Sequence, residues 1–266
     1  MSTFNSSERL SDKTILITGG TGDVGQALTS HLSRIGANIA ILDKNAEKGA
    51  RLVDEVTSFR EINDSNGRAA YFEVNLTEPD KVKEAVSQAA QTFGGIDVLV
   101  CGLCTSKISY IHEPNYLAEF ERLIDINLKS AVYTTQNVIP FMRGRRRGKI
   151  IFLIPDLVRW GSEGESLTSV TRGGLIYYAR ALARELAPTN ISVNCVAMGP
   201  TEDYLLARDP AAESIKVAEE KLTLSMPMAR MIKPDEIARA ITFLASSQSD
   251  AVTGQTWAVN GGLTMF

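Results

Sequence analysis

The sequence predicts a doubly wound α/β domain, a parallel β-sheet with helices on both faces. Short apolar runs alternate with amphipathic stretches from Lys13 to the end of the chain, the pattern of strands joined by crossover helices. The runs are almost continuously apolar, as strands covered on both faces must be. The first run also ends in glycines before a helical stretch. The chain has 266 residues, a length at which α/β folds remain undivided. No linker, internal repeat or low-complexity stretch interrupts it. Residues 1–266 are therefore read as one domain, with its core over about 10–263.

Thr14–Thr18 is the first strand, followed by Leu28, Leu32 and Ile35 at helical spacing. Asn38–Leu42 is the second, and Val53 and Val56 mark the apolar side of a polar helix. Ala69–Glu73 is the third; Val82, Val86, Ala89 and Phe93 then form one helical stripe. Val98–Gly102 is the fourth strand, with helices expected near Ala118–Leu128 and Val132–Met142. Lys149–Ile154 is the fifth strand, and Leu175, Ala179, Leu182 and Leu186 lie on a long helix, in which Tyr177 and Tyr178 are read as packing residues. Ile191–Val196, a helix carrying Ile237, Ile241 and Leu244, and Thr256–Val259 complete the series. Right-handed crossovers then wind the sheet in both directions. The expected excursion is Pro200–Pro227, at the carboxyl edge of the strands where ligands bind in such folds.

Composition excludes several classes. With 44% hydrophobic and 22% charged residues the chain is neither disordered nor fibrous. A net charge of −3 offers no footprint for nucleic acid. No apolar run approaches the ~20 residues of a bilayer span, and the opening MSTFNSSERLSDK lacks a signal-peptide core. The expectation is a cytoplasmic chain with no nucleic-acid or membrane partner. Three cysteines suit a reducing compartment. Cys101 and Cys104 form a C-x-x-C, but at the end of a buried strand, without a second pair and with two histidines in the whole chain. No metal site is expected. Arg143, Arg145, Arg146, Arg147 and Lys149 form a basic cluster before the fifth strand, read as a solvated loop or as a surface for an acidic or phosphate-bearing partner.

Thr18-Gly19 with Gly25, Asp125-Ile126-Asn127-Leu128, Val193-Asn194, Thr253-Gly254-Gln255 and Gly261-Gly262 occur in an order and at spacings that resemble the short-chain dehydrogenase/reductase family. The resemblance runs from about Leu10 to Leu263. It implies a Rossmann-type fold and a nicotinamide-dependent oxidoreductase with Ser, Tyr, Lys and Asn at its catalytic positions. Matched residue by residue, the serine position holds Pro155, the tyrosine position Thr168 and the lysine position Arg172; Asn127 alone keeps its type. Proline has neither hydroxyl nor N–H, and an aliphatic hydroxyl is far too weak an acid to replace a phenol of pKa about 10. No other tyrosine has a lysine four residues on, the spacing that shares a helix face. Asn127 is then read as a structural hydrogen-bonding residue.

The cofactor loop departs from the pattern too. The family's glycines let a pyrophosphate reach the backbone at a helix N-terminus. Here Gly19 and Gly25 remain, but Asp23 replaces the middle glycine and brings bulk and negative charge to the phosphate position. Asp43, at the end of the second strand, matches the acid that grips the ribose of NAD; without the loop it is read as a strand-end or capping residue. Cys104 and Asp203 also stand where the family places cofactor-contacting residues of other types. The expectation is that this chain binds no cofactor and catalyses nothing by itself. It would pair with an active homologous subunit, which binds NAD, in a heteromeric dehydrogenase of the hydroxyacyl-CoA type, expected to be a tetramer. Two alternatives stay open: an enzyme of altered, non-hydride chemistry using Arg172, Ser166 or Ser169, and a ligand-sensing or scaffold protein on the same fold.

Overall fold

A computed structural model of the chain describes residues 10–63, 67–202, 220 and 223–265. Seven parallel strands form one sheet in the order β3-β2-β1-β4-β5-β6-β7. They are β1 (Thr14–Thr18), β2 (Asn38–Asp43), β3 (Ala69–Glu73), β4 (Val98–Cys101), β5 (Gly148–Pro155), β6 (Ile191–Met198) and β7 (Thr256–Val259). The helices are α1 (Asp23–Arg34), α2 (Ala46–Asn63), α3 (Pro79–Phe93), α4 (Tyr116–Leu123), α5 (Ser130–Arg145), α6 (Ser166–Leu186) and α7 (Pro234–Ala245). The doubly wound fold read from the sequence is the one observed. Strand order reverses between β1 and β4, so their carboxyl ends diverge there into a crevice. Most of the Pro200–Pro227 excursion lies outside the described residues, Asp203 included.

Two apolar layers hold the sheet. On one face α1 and α7 pack with Leu28, Leu32, Ile237 and Ile241 fully buried against Ile15, Ile17 and Ile39. On the other, α3, α5 and α6 bring Val82, Val86, Val138, Leu175 and Leu186 against Leu16, Leu99 and Phe152. In α2 the inward pair is Leu52 and Val56, while Val53 is only partly buried. Tyr178 packs on Phe152 with ring centroids 5.8 Å apart. Tyr177, expected to pack, is instead 70% exposed, with the Arg180 guanidinium 5.3 Å from its ring. Adjacent helical positions point about 100° apart, so both rings cannot face the sheet.

The family-like motifs away from the crevice have local structural work. Asn194 donates from Nδ2 to the Val252 carbonyl at 2.8 Å and accepts from the Gln255 amide at 3.0 Å. The Thr253 hydroxyl accepts from Val193 N at 3.1 Å. Together they clip β6 to the turn before β7. Between α4 and α5 the chain forms a π-turn, Ile124–Lys129, where the sequence pattern indicates two ordinary helices; π-turns commonly mark functional positions. Arg143 and Arg145 belong to the last turn of α5, and Arg146 ends it with φ +50°. The cluster read as a solvated loop is therefore mainly a helix C-terminus.

At the start of α7, Glu236 accepts from Lys233 N at 3.0 Å and takes both Arg230 terminal nitrogens at 2.8 and 2.7 Å. The Arg230 hydrogen bonds hold its carboxyl down to about 2, from a usual 4.5. A depressed carboxylate pKa stabilises the folded state above the unfolded value, and that contribution disappears as pH falls toward the folded one. Urea titrations between about pH 5 and pH 3 should therefore show Glu236→Gln losing less stability with acidification than the parent chain.

Candidate functional site

A cleft of about 310 Å³ opens at the carboxyl ends of β1, β4 and β5, lined by Gly19, Asp23, Gly25, Asp43, Leu103 and Ser106 among others. All four cofactor-loop positions singled out in the sequence thus meet in one place. Gly19 has φ +68°, and a Cβ on it would stand 2.6 Å from the Leu103 backbone. A Cβ on Gly25 would stand 2.6 Å from the Gly20 backbone, so this glycine is required by helix–turn packing alone.

Asp23 is the first residue of α1 rather than its cap; the cap is Gly22. Its Oδ1 accepts from Val24 N at 2.7 Å, while Oδ2 is buried without a partner. The carboxylate thus occupies the helix N-terminus and takes one of the free amides there, where negative charge is favoured. Asp43 ends β2 and is 9% exposed. It accepts from Thr21 N at 3.1 Å through Oδ2 and from Lys44 N at 2.7 Å through Oδ1. It therefore ties the glycine turn to the end of β2. Tyr71 donates to the Asp43 carbonyl at 2.7 Å, and burial beside Asp43 and Glu73 raises its phenol to about 12.

The residues at the catalytic positions do not line the cleft; they lie behind the loop that does. Arg172 is fully buried. Its guanidinium donates to the Leu103 carbonyl and reaches the Leu153 carbonyl at 3.5 Å, and no carboxylate among the described residues pairs with it. Asn127, also fully buried, accepts from Thr105 N at 3.0 Å and donates to the Thr105 carbonyl at 2.9 Å. Thr168, 1% exposed, lies 3.3 Å from the Ser106 hydroxyl. Three positions therefore grip three neighbouring residues of one loop: Leu103, Thr105 and Ser106. Pro155 closes β5, paired in register with Met198.

Sequence reasoning did not single out Ser106 or Glu165. Glu165, 1% exposed at the start of α6, accepts from the Ser106 hydroxyl at 2.8 and 3.1 Å. A buried carboxylate directly preceding a helix is visible in the chain only as a common N-terminal acid. Asp156 is equally buried and accepts from Arg159 at 2.9 Å, Asn260 at 2.7 Å and Thr264 at 2.7 Å, fixing the carboxyl-terminal segment beside the end of β5. Cys104 lines the cleft wall, whereas Cys101 lies in the core, where burial pushes its thiol up to about 12. Among the described residues no group of His, Cys, Asp and Glu could hold a metal ion. None of their helices is long and apolar enough to cross a membrane.

The profile of the family described as Enoyl-(Acyl carrier protein) reductase matches residues 21–264. The chain belongs to the short-chain dehydrogenase/reductase family. It is 32% identical over 257 residues to 3-oxoacyl-[acyl-carrier-protein] reductase FabG of Thermotoga maritima, covering 97% of this chain and 100% of that one. The Staphylococcus aureus FabG is 30% identical, with coverages of 95% and 98%. Nodulation protein G of Rhizobium sp. is also 30% identical, with coverages of 97% and 99%. The scaffold of this family is thus present from end to end.

The residues present do not fit a dinucleotide. Its pyrophosphate would meet the Asp23 carboxylate at the helix N-terminus, and Thr21 N is already engaged by Asp43. Unit charges 4 Å apart repel by about 1–4 kcal/mol between the dielectric of water and an effective value of 20. Asp23→Gly should therefore strengthen NAD binding at least about fivefold in calorimetry; unchanged affinity would mean that Asp23 is not the obstacle.

Proposed function

We propose that this chain is a non-catalytic short-chain dehydrogenase/reductase subunit. It pairs with an active homologous subunit in a hetero-oligomeric, tetrameric NAD-dependent alcohol dehydrogenase of the hydroxyacyl-CoA type. NAD is bound by the partner and none by this chain. It resembles in this the inactive subunit of the 2-[hydroxy(phenyl)methyl]succinyl-CoA dehydrogenase of anaerobic toluene degradation. The reading places the assembly in the cytoplasm.

One observation carries the reading: the side chains at the proton-transfer positions lie behind the loop that lines the cleft and are committed to holding it. Arg172, Asn127 and Thr168 hold Leu103, Thr105 and Ser106. Among the described residues lining the cleft there is no tyrosine, lysine or histidine. Hydride transfer to or from an alcohol needs a group that exchanges the hydroxyl proton near neutral pH, and neither Thr168 nor Ser106 has the acidity. The intact core supports a retained scaffold role, because most core changes cost about 1 kcal/mol or more and unselected drift would have eroded it.

The names of the relatives favour a second reading, a reductase active alone on 3-oxoacyl thioesters. The two are separated by expressing the chain alone and assaying it with NAD(P)H and 3-oxoacyl thioesters, and by recovering it tagged from its own cells. The subunit reading expects no turnover alone and a homologous dehydrogenase chain in the recovered complex. Turnover by the isolated chain, or recovery without a homologous partner, overturns it.

A further inference from the structure

The opposite edge of the sheet carries a second cavity, of about 360 Å³, at the amino ends of β4, β5 and β6. Lys13, Arg147 and Lys149 line it together with Asp97, Asp250 and Ser192. Asp97 is 5% exposed and accepts from Thr14 N at 3.0 Å. Three cations converge on this one carboxylate: Lys13 at 3.8 Å, Arg145 at 3.5 Å and Arg147 at 3.3 Å. Lys149 is matched by Asp250 at 2.8 Å.

Helix ends account for part of this charge. The last turns of α5, α6 and α7 lie at this edge, and each carries roughly −0.5 of an elementary charge. Three of the cations share the one Asp97 carboxylate, so two of them have no carboxylate of their own. Cations thus outnumber carboxylates on the wall of a cavity of ligand size. A phosphate group, with about −1.5 to −2 at pH 7 and three acceptor oxygens, can engage more than one of these cations at once. The Ser192 side-chain oxygen is buried with no hydrogen-bond partner and belongs to the same cavity. A buried hydroxyl left unpaired costs about 1–3 kcal/mol, and a phosphate oxygen would accept its hydrogen bond.

We propose that this amino-edge cavity is a binding site for a phosphate-bearing small molecule, held by Lys13, Arg147 and the Ser192 hydroxyl. It lies at the far end of the strands from the cleft, so it stands or falls separately from the reading of the cleft.

Calorimetry on the full chain with inorganic phosphate, pyrophosphate and uridine diphosphate tests it. Pyrophosphate should bind, with affinity falling as salt rises. Arg147→Ala and Lys13→Ala should each weaken binding at least about tenfold, with unchanged circular dichroism. Arg143→Ala should leave it within about twofold, because Arg143 lies outside the cavity and faces Glu185 at 3.8 Å. Uridine diphosphate binding more tightly than pyrophosphate identifies an organic ester as the ligand; equal binding identifies the phosphate group alone. No binding of any of the three at millimolar concentration overturns the proposal. So does binding that Arg147→Ala and Lys13→Ala leave intact, or binding of a glutamate-rich peptide in the absence of phosphate binding.

Discussion

The cleft of this protein depends on one buried contact, the Arg172 guanidinium bridging the carbonyls of Leu103 and Leu153. Those carbonyls lie just beyond β4 and near the end of β5, neighbouring strands beside the crevice. A guanidinium offers several donors in a rigid fork, so one side chain can span both, which a lysine ammonium does less well. The cost is a buried cation without a carboxylate partner among the described residues. Its Nε also lacks a hydrogen bond. Removing either carbonyl partner would leave that charge less compensated still, so the geometry of α6, β4 and β5 is coupled through this one residue.

Asn127 and Thr168 extend the same brace along the loop, from Thr105 to Ser106, and Glu165 closes it from the start of α6. A loop beside a nucleotide crevice is ordinarily free to adapt to a ligand. Here its carbonyls, an amide and a hydroxyl are already engaged by the protein. At the other end of the cleft, Asp43 engages the Thr21 amide of the glycine turn and Asp23 the Val24 amide in the first turn of α1. The cleft keeps its shape through internal contacts, and the scaffold shared with the full-length relatives is retained around it.

Much of this was legible in the chain. Apolar runs such as Thr14–Thr18 and Ala69–Glu73 coincide with their strands because a strand buried on both faces tolerates little else. The altered types at positions 23, 155, 168 and 172 were equally plain. What those residues touch was not, because Leu103, Thr105 and Ser106 are distant in sequence and present ordinary side chains. Glu165 was missed for the same reason: an acid before a helix reads as a surface residue until burial is known. The π-turn at Ile124–Lys129 was hidden because its extra residue breaks the helical spacing, and such a break reads as a boundary between two helices. Tyr177 shows the converse error, since aromatic identity alone does not assign a helix face.

Amide hydrogen exchange across Gly102–Ser109, with and without saturating NAD, probes the brace most directly. If the protein's own side chains hold the loop, its amides are protected in the free chain, NAD leaves that protection unchanged, and Arg172→Ala abolishes much of it. Amides that exchange freely until NAD is added would show that a ligand, and not Arg172, orders the cleft.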